Sequence, residues 1–331
     1  MTLRLAAALA VPVAVLASCS SKKHKAATQP EPNAMVRGEA APGMAPLTGT
    51  KANVANRPAL FVKVGNSPGA RPQSGLDRAD VVIEEAVEGG LTRLAAVFQS
   101  QDAPSVGPVR SLRQTDTALL DLFGQPVVAH SGAVPDVLAA LYASAGLDLG
   151  RQARPGLYQA RAERPAPDNL FVGTEKLRAA VRSARRTLTL FDYSARSPAG
   201  VPASSVTLRF GTVVEYRWDA ACGCHLRSQD GRPHVDDHGR QLRATNVVVL
   251  FTGYTTAAGV VDAAGAPVLT TSVVGRGQAW VFRNGQRVEA TWTRSSSREA
   301  LRVTTADSRP VALAPGTTWV ELAPLGSART A

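Results

Sequence analysis

The segment Gly107-Pro108-Val109-Arg110-Ser111-Leu112-Arg113 sets two guanidinium groups three residues apart around a serine. Arginine is a planar fork that grips carboxylate or phosphate through two parallel hydrogen bonds. If a helix opens here, Ser111 can cap it, and the free amides of the first turn add to the attraction for an anion. The same residues can equally serve as a cap with surface ion pairs. A second polar set lies upstream and just beyond: Asn66, Arg71, Gln73, Asp80, Glu84, Glu85, Glu88, Arg93 and His130. Asp80, Glu84, Glu88 and His130 are the candidates for general acid or base work, with a divalent metal as the cofactor such carboxylates could hold. Asn66, Arg71, Gln73, Arg93, Arg110, Ser111, Arg113 and Asn169 are the candidates for ligand binding. Along the run from Asp80, strand alternation puts Asp80, Val82, Glu84 and Ala86 on one face and Val81, Ile83, Glu85 and Val87 on the other. Glu85 therefore sits at a strand end or is buried with a partner, and Arg93, across Gly89-Gly90, is one such partner. Two readings stand side by side: a structural ion-pair network, or an acid-and-arginine pocket at the strand ends, where open α/β sheets bind ligands.

Three further groups invite chemistry. His130-Ser131 ends an apolar run, but no G-x-S-x-G elbow surrounds the serine, and a hydrogen-bonded structural histidine is the plainer reading. Cys222-Gly223-Cys224-His225 precedes His234, Asp236, Asp237 and His238. Cys-x-Cys is not the usual two-residue spacing of a zinc site, and a bridge across a single residue is expected to be strained, so a hairpin tip carrying polar residues is the expectation. Trp218, Trp280, Trp292 and Trp319 suit either a sugar-stacking surface or a β core.

The elements that must position these residues change character along the chain. Strands are predicted at Arg57–Val64, over Asp80–Glu85, Leu91–Phe98 and Pro126–His130, with helices over Ser111–Phe123, near Pro135–Ala145 and near Thr174–Arg186. That alternation implies an α/β layer over about 57–196. From about 197 to 325, short β-rich runs recur between turn signals, at Val206–Phe210, Val213–Trp218, Asn246–Thr252, Val268–Val274, Ala279–Phe282, Arg287–Trp292 and Thr318–Leu322. Asn284-Gly285 marks a tight hairpin. The expected fold is therefore a mixed α/β (α+β or α/β) N-terminal domain followed by a smaller, mostly antiparallel β domain.

The first residues give an address. A basic start, a short apolar run and Leu16-Ala17-Ser18-Cys19 describe a signal peptide over 1–18 that ends in a bacterial lipobox. Cys19 is then the lipidated N-terminus, and membrane lipid is the first partner. The Ser, Lys, Ala, Gly and Pro of residues 19–56 read as a flexible tether. Of 331 residues, 37 are Lys or Arg and 26 are Asp or Glu, a formal net charge of +11. An exported location removes nucleic acid as a partner for that charge and leaves anionic lipids, wall polymers and lipid-linked phosphates. At 44% hydrophobic and 19% charged residues, the composition excludes wholesale disorder and a polytopic membrane protein.

Several of these segments together resemble one family. Asn66-Ser67-Pro68, Ala70 through Leu76, Ala79-Asp80-Val81-Val82, Val87 through Arg93, Gly107 through Arg113, Asn246-Val247-Val248-Val249, Gly275 through Ala279, Asn284-Gly285 and Pro315 through Val320 resemble the YerB-like bacterial lipoproteins, a family of unknown function, over roughly residues 57–323. Asp168 stands where the family pattern carries His before Asn169. The loop after Pro108 and the Asp80 strand are also similar in pattern to the LytR–CpsA–Psr phosphotransferases, whose strand Asp and Arg residues hold a lipid pyrophosphate and a divalent metal. The expected function is a membrane-anchored envelope lipoprotein that binds an anionic wall or lipid-linked ligand. Alternatives are a metal-dependent phosphotransferase or hydrolase acting on wall-polymer precursors, and a protein-interaction scaffold at the membrane surface.

Overall fold

The computed structural model describes residues 40–331, apart from 53, 55, 56, 184, 197, 198 and 262–264. The leader, Cys19 and the tether up to residue 39 lie outside the described residues. Strands dominate. The main sheet has eleven of them and runs, edge to edge, Arg302–Thr304, Gln286–Arg294, Gly275–Arg283, Asn246–Thr252, Thr318–Pro324, Val81–Ala86, Thr92–Phe98, Leu60–Gly65, Val127–Ala129 and Leu147–Asp148, with Val201–Pro202 added on Gln286–Arg294. It is mixed. Leu60–Gly65 is parallel to Val127–Ala129 but antiparallel to Thr92–Phe98, and Val81–Ala86 is parallel to Thr318–Pro324. A six-stranded second sheet is built from Ser205–Arg209, Val213–Asp219, Cys224–Gln229, Arg232–Pro233, Arg243–Ala244 and Ala328–Thr330.

The sequence pattern explains the two faces of the main sheet. Alternate residues Val62, Val82, Leu94 and Ala96 share a core with Val206, Leu208, Val214 and Tyr216 of the second sheet. Their neighbours Phe61, Val81, Ile83, Ala95 and Val97 pack instead with Leu119, Leu122, Val137 and Leu141 of the helical layer. Period-two side-chain alternation in strands buried on both faces produces this division.

Several expectations change against the structure. The α/β pattern is confined to three parallel strands, Leu60–Gly65, Val127–Ala129 and Leu147–Asp148, joined through Gln114–Leu120 and Pro135–Ala143. The helices Gln114–Leu120, Pro135–Ala143 and Thr174–Ala179 are short, and the sheet they touch is mixed, so the architecture is a β-dominated α+β arrangement. The helix expected to reach Arg186 stops at Ala179, because Val181-Arg182-Ser183 adds one apolar residue and no further face to bury. The boundary near residue 196 is not a break between sheets: the pairing of Val81–Ala86 with Thr318–Pro324 makes one sheet from both segments. The tether is also shorter than expected, since Leu47 is fully buried, Met44 pairs with Lys51, and Tyr193 donates its hydroxyl to the Leu47 carbonyl at 2.5 Å.

Candidate functional site

The strand Val81–Ala86 carries two adjacent carboxylates to opposite faces, as its alternation requires. Glu84 points toward the second sheet and is fully buried. Its Oε2 accepts from Arg227 Nη2 at 2.6 Å, and its Oε1 accepts from Thr92 Oγ1 at 2.6 Å and Asn66 Nδ2 at 3.0 Å. The bonds continue into a closed ring. Gln73 Nε2 donates to Asn66 Oδ1 at 2.9 Å, leaving Gln73 Oε1 to accept from His234 Nε2 at 2.8 Å. The other ring nitrogen, Nδ1, faces Arg227 Nη1 and so accepts. Burial, then the adjacent Arg227, holds the His234 pKa well below its ordinary value, which keeps the ring neutral in this tautomer.

A second carboxylate stands beside the first. Glu321 is the register partner of Glu84 in the parallel pair and is equally buried. Burial, reinforced by the neighbouring Glu84, pushes the Glu321 pKa well above the usual range, against the pull of Arg227. Of the two carboxylates beside this guanidinium, Glu321 is the one whose neutral form burial favours. Tyr216 Oη donates to Glu321 at 2.5 Å and accepts from Arg227 Nε at 3.1 Å. Trp319 lies under the guanidinium, 4.8 Å from its ring centre.

On the opposite face, Glu85 meets Lys63 at 2.5 Å, not Arg93 as the sequence suggested. Lys63 also contacts Asp116 at 2.7 Å, and burial outweighs Lys63 to raise the Glu85 pKa. Arg93 and Arg113 both turn to Glu88, Arg93 at 3.5 Å. Residue direction explains the exchange: Arg93 is directly opposite Glu85 in the ladder, but Lys63 lies one strand further on the same face and reaches across.

The arginine loop differs from its expectation. The chain stays extended through Arg113, which is itself the N-cap residue, and the Asp116 carboxylate takes its amide at 2.7 Å. Ser111 is thus two residues short of capping. Its hydroxyl lies 3.5 Å from that of Ser131, while its carbonyl accepts from Arg93 at 3.1 Å. Arg110 and Arg113 do not share a helical face. Arg110 is matched by Asp168 at 2.8 Å, and Arg113 by Glu88. Asp80 braces a turn by accepting from the amides of Gln99 and Ser100, at 2.5 and 2.7 Å, and from the Ser100 hydroxyl; burial raises its pKa against those bonds. His130 is held between Asp148 at 3.0 Å and the Gly132 carbonyl at 3.1 Å, and is 2% exposed. Asn169 accepts from the Arg161 amide at 2.8 Å through its backbone carbonyl.

In the second segment, Cys222 and Cys224 form a disulfide, where a plain polar hairpin tip was expected. Asp236 is taken by the amides of His238 and Arg240, both at 2.9 Å, whereas His234 belongs to the ring with Gln73 and Arg227. Among the described residues, no group of three His, Cys, Asp or Glu side chains is placed to hold a metal ion. Trp292 and Trp319 are core residues, and Trp280 is half-buried beneath Arg287 and against Phe251. They offer no common sugar-stacking face.

Asn66 and Arg71 do come together. They line a cavity of about 200 Å³ with Gly90, Leu91, Gly211, Thr212, Gln229 and Asp230. Its rim is where two turns touch: a Cβ on Gly211, whose φ is +107°, would lie 2.5 Å from the Gly90 carbonyl. Arg71 Nη2 reaches Asp230 only at 3.4 Å, and its Nη1 is buried with no hydrogen-bond partner. Burial alone would raise Asp230, but hydrogen bonds from Thr212 and Val213, together with Arg71, hold its pKa below the usual range. Asn66 and Gln229 form the floor, each already tied into the Glu84–Arg227 ring; Asn66 Nδ2 and Gln229 Oε1 are 3.1 Å apart.

Sequence reasoning missed Arg227, Gln229, Glu321 and Tyr216. Val214, Tyr216 and Trp218 do alternate with polar residues, which could have pointed Tyr216 inward. Cys224–Gln229 buries His225, Arg227 and Gln229 and leaves Leu226 and Ser228 half-exposed, the reverse of an ordinary hydrophobic alternation.

Comparisons place the chain. Residues 47–187 match the N-terminal domain, and residues 206–320 the C-terminal domain, of a protein of unknown function (DUF3048). The chain is 30% identical over 299 residues to the Bacillus subtilis (strain 168) protein named "Putative lipoprotein YerB", covering 85% of this chain and 86% of that one. The crystal structure of the Bacillus subtilis YerB protein superimposes with a TM-score of 0.76 at 26% identity, over 87% of this chain and 99% of that one. On both segments and on the shared fold, the chain belongs to the YerB-like family, which is defined by these two domains of unknown function.

Proposed function

We propose that this protein is an exported, membrane-anchored lipoprotein that binds a small anionic group of an envelope molecule in the Arg71 cavity. The observation that carries the reading is Arg71 itself, whose Nη1 is buried at the cavity without a partner. Arg93, Arg110 and Arg113, the other guanidinium groups of the expected pocket, each meet a carboxylate, and Arg71 itself meets Asp230 through Nη2 at 3.4 Å, so it is the unmatched Nη1 that is offered to a ligand. At about 200 Å³ the cavity is smaller than the several hundred Å³ of a site for a whole organic ligand. A phosphate or carboxylate head group fits that volume, with the rest of its molecule left outside. The Leu16-Ala17-Ser18-Cys19 lipobox and the family membership support the anchor, which would bring the cavity to lipid-linked phosphates and wall polymers.

The test is binding of the full-length protein to vesicles containing polyprenyl phosphate, with neutral vesicles as the reference. Arg71→Ala is expected to weaken binding about ten- to a hundredfold, the loss of a charge-assisted hydrogen bond. Arg71→Lys should recover part of it, because an ammonium keeps the charge and loses the fork. Equal affinity of wild type and Arg71→Ala, with both proteins folded, would remove the cavity as the site. Consumption of the phosphate in the presence of Mg²⁺ would favour the phosphotransferase or hydrolase instead.

A further inference from the structure

The Cys222–Cys224 disulfide closes a turn that is already closed. Val213–Asp219 and Cys224–Gln229 pair in unbroken register from Val214 with Gln229 to Asp219 with Cys224. The turn between them is shaped by Ala221 donating its amide to Asp219 Oδ1 at 2.8 Å and by Gly223 at φ +61°. A bridge across one intervening residue closes a very short loop and removes little chain entropy. It therefore contributes little as a staple. Its surroundings suit another use. Cys222 is exposed whereas Cys224 is 7% exposed, and a Cβ built on Gly223 would meet nothing within 4 Å. One cysteine of the bridge is exposed at the tip of a hairpin, its sulfur 3.6 Å from the Asp219 carbonyl, and the other is buried at the start of the strand Cys224–Gln229.

We propose that Cys222–Cys224 is a thiol–disulfide exchange site for a partner protein that presents two reduced cysteines. The thiolate of the first partner cysteine attacks Sγ of Cys222, the exposed member of the pair. A partner–Cys222 bond forms, the Cys222–Cys224 bond breaks, and Cys224 leaves as a thiolate that takes up the proton released by the attacking thiol. The second partner cysteine, deprotonated in turn, attacks the first across the mixed disulfide and displaces Cys222, which takes that second proton. The partner loses two electrons and two protons, and the Cys-Gly-Cys pair gains them. His225, packed 5.0 Å from the Trp218 ring, has its pKa lowered by burial to about 4, so no imidazolium charge beside Cys224 holds the leaving thiolate in place. The site is separate from the Arg71 cavity, and either can fail without the other.

The test uses the full chain carrying Cys19→Ser, which leaves Cys222 and Cys224 as the only cysteines. Oxidised protein is mixed with a synthetic peptide bearing two reduced cysteines, and both are followed by thiol alkylation and mass. One equivalent of peptide disulfide should form for each protein disulfide lost. In the Cys224→Ser variant, Cys222 should accumulate a mixed disulfide with oxidised glutathione, and Cys222→Ser should accumulate at least tenfold less. Reduction should shift Tm by less than about 2 °C, as expected for a bridge with little effect on stability. A disulfide that stays intact under excess dithiol peptide overturns the proposal. So does a fall in Tm on reduction of more than about 5 °C, which would mark a structural staple.

Discussion

Glu84 and Glu85 are consecutive residues of one strand, both out of water, and their surroundings differ in almost every respect. Glu85 faces the helical layer and finds Lys63, 22 residues away, within the same segment. From there the contacts run through Asp116, the Arg113 amide and Glu88 to Arg93, so that Lys63, Arg93 and Arg113 balance Glu85, Glu88 and Asp116. Glu84 faces the second sheet and finds Arg227, 143 residues away. There one guanidinium serves two carboxylates, burial beside Glu84 favours the neutral form of Glu321, and the same network floors the Arg71 cavity. The contrast separates two tasks. The balanced face fastens the first segment to itself. The other face joins the two segments and leaves an arginine beside open volume.

The strongest way to break the contrast is to remove the long-range cation. Arg227→Met leaves Glu84 and Glu321 buried together, and unfolding in urea should show a loss of about 3–5 kcal/mol. Adding Glu84→Gln should return more than half of that loss, because the stranded charge goes with it. A single variant within about 1 kcal/mol of wild type would mean the ring is not a fastening at all.

Removing the short-range cation should cost less. Lys63→Met strands Glu85 and Asp116, but burial already raises the Glu85 pKa, so that once Lys63 is gone it can take up a proton and relieve the strain, and a loss of about 2–3 kcal/mol at neutral pH is expected. That loss should shrink on going to pH 5, where Glu85 protonates more readily. An equal loss at both pH values would assign the stranded charge to Asp116.

The smallest effect is a slope with pH. Glu321 and Glu85 have folded pKa values above their ordinary values, mainly through burial, so the folded state holds protons that the unfolded chain releases. Their stabilisation is complete below about pH 4.5, the ordinary glutamate value, and is lost as pH rises through the folded values. Glu321→Gln mimics the protonated form and should flatten the decline in stability between pH 5 and 8 more than Glu85→Gln does. Urea midpoints at the two pH values measure it, and equal slopes in all three proteins would place the proton elsewhere.

Much of the local structure was legible. The alternation over Asp80–Val87 assigned Glu84 and Glu85 to opposite faces, and Asn284-Gly285 marked the turn between Gly275–Arg283 and Gln286–Arg294. The arginine loop misled because Arg110 and Arg113 were placed on a helix that begins only at Gln114. Helix starts are weakly determined by single residues, and here Asp116 draws the cap to Arg113. Cys224–Gln229 escaped notice because its inward face is polar, and a hydrophobic pattern cannot reveal a strand whose buried residues are His225, Arg227 and Gln229.

The chain by itself determined the family, the strand periodicity and the hairpin turns, since each depends on residues adjacent in sequence. Only the tertiary structure decided which charges meet. A carboxylate's partner is set by electrostatic distance and desolvation, and these are fixed when strands far apart in sequence pair. Thr318–Pro324 lies beside Val81–Ala86, and that pairing alone puts Glu321 next to Glu84 and brings Arg227 over both. Arg71 keeps Nη1 without a partner at its cavity for the same reason: Asp230, which comes from the far segment and is held by Thr212 and Val213, engages only Nη2, at 3.4 Å.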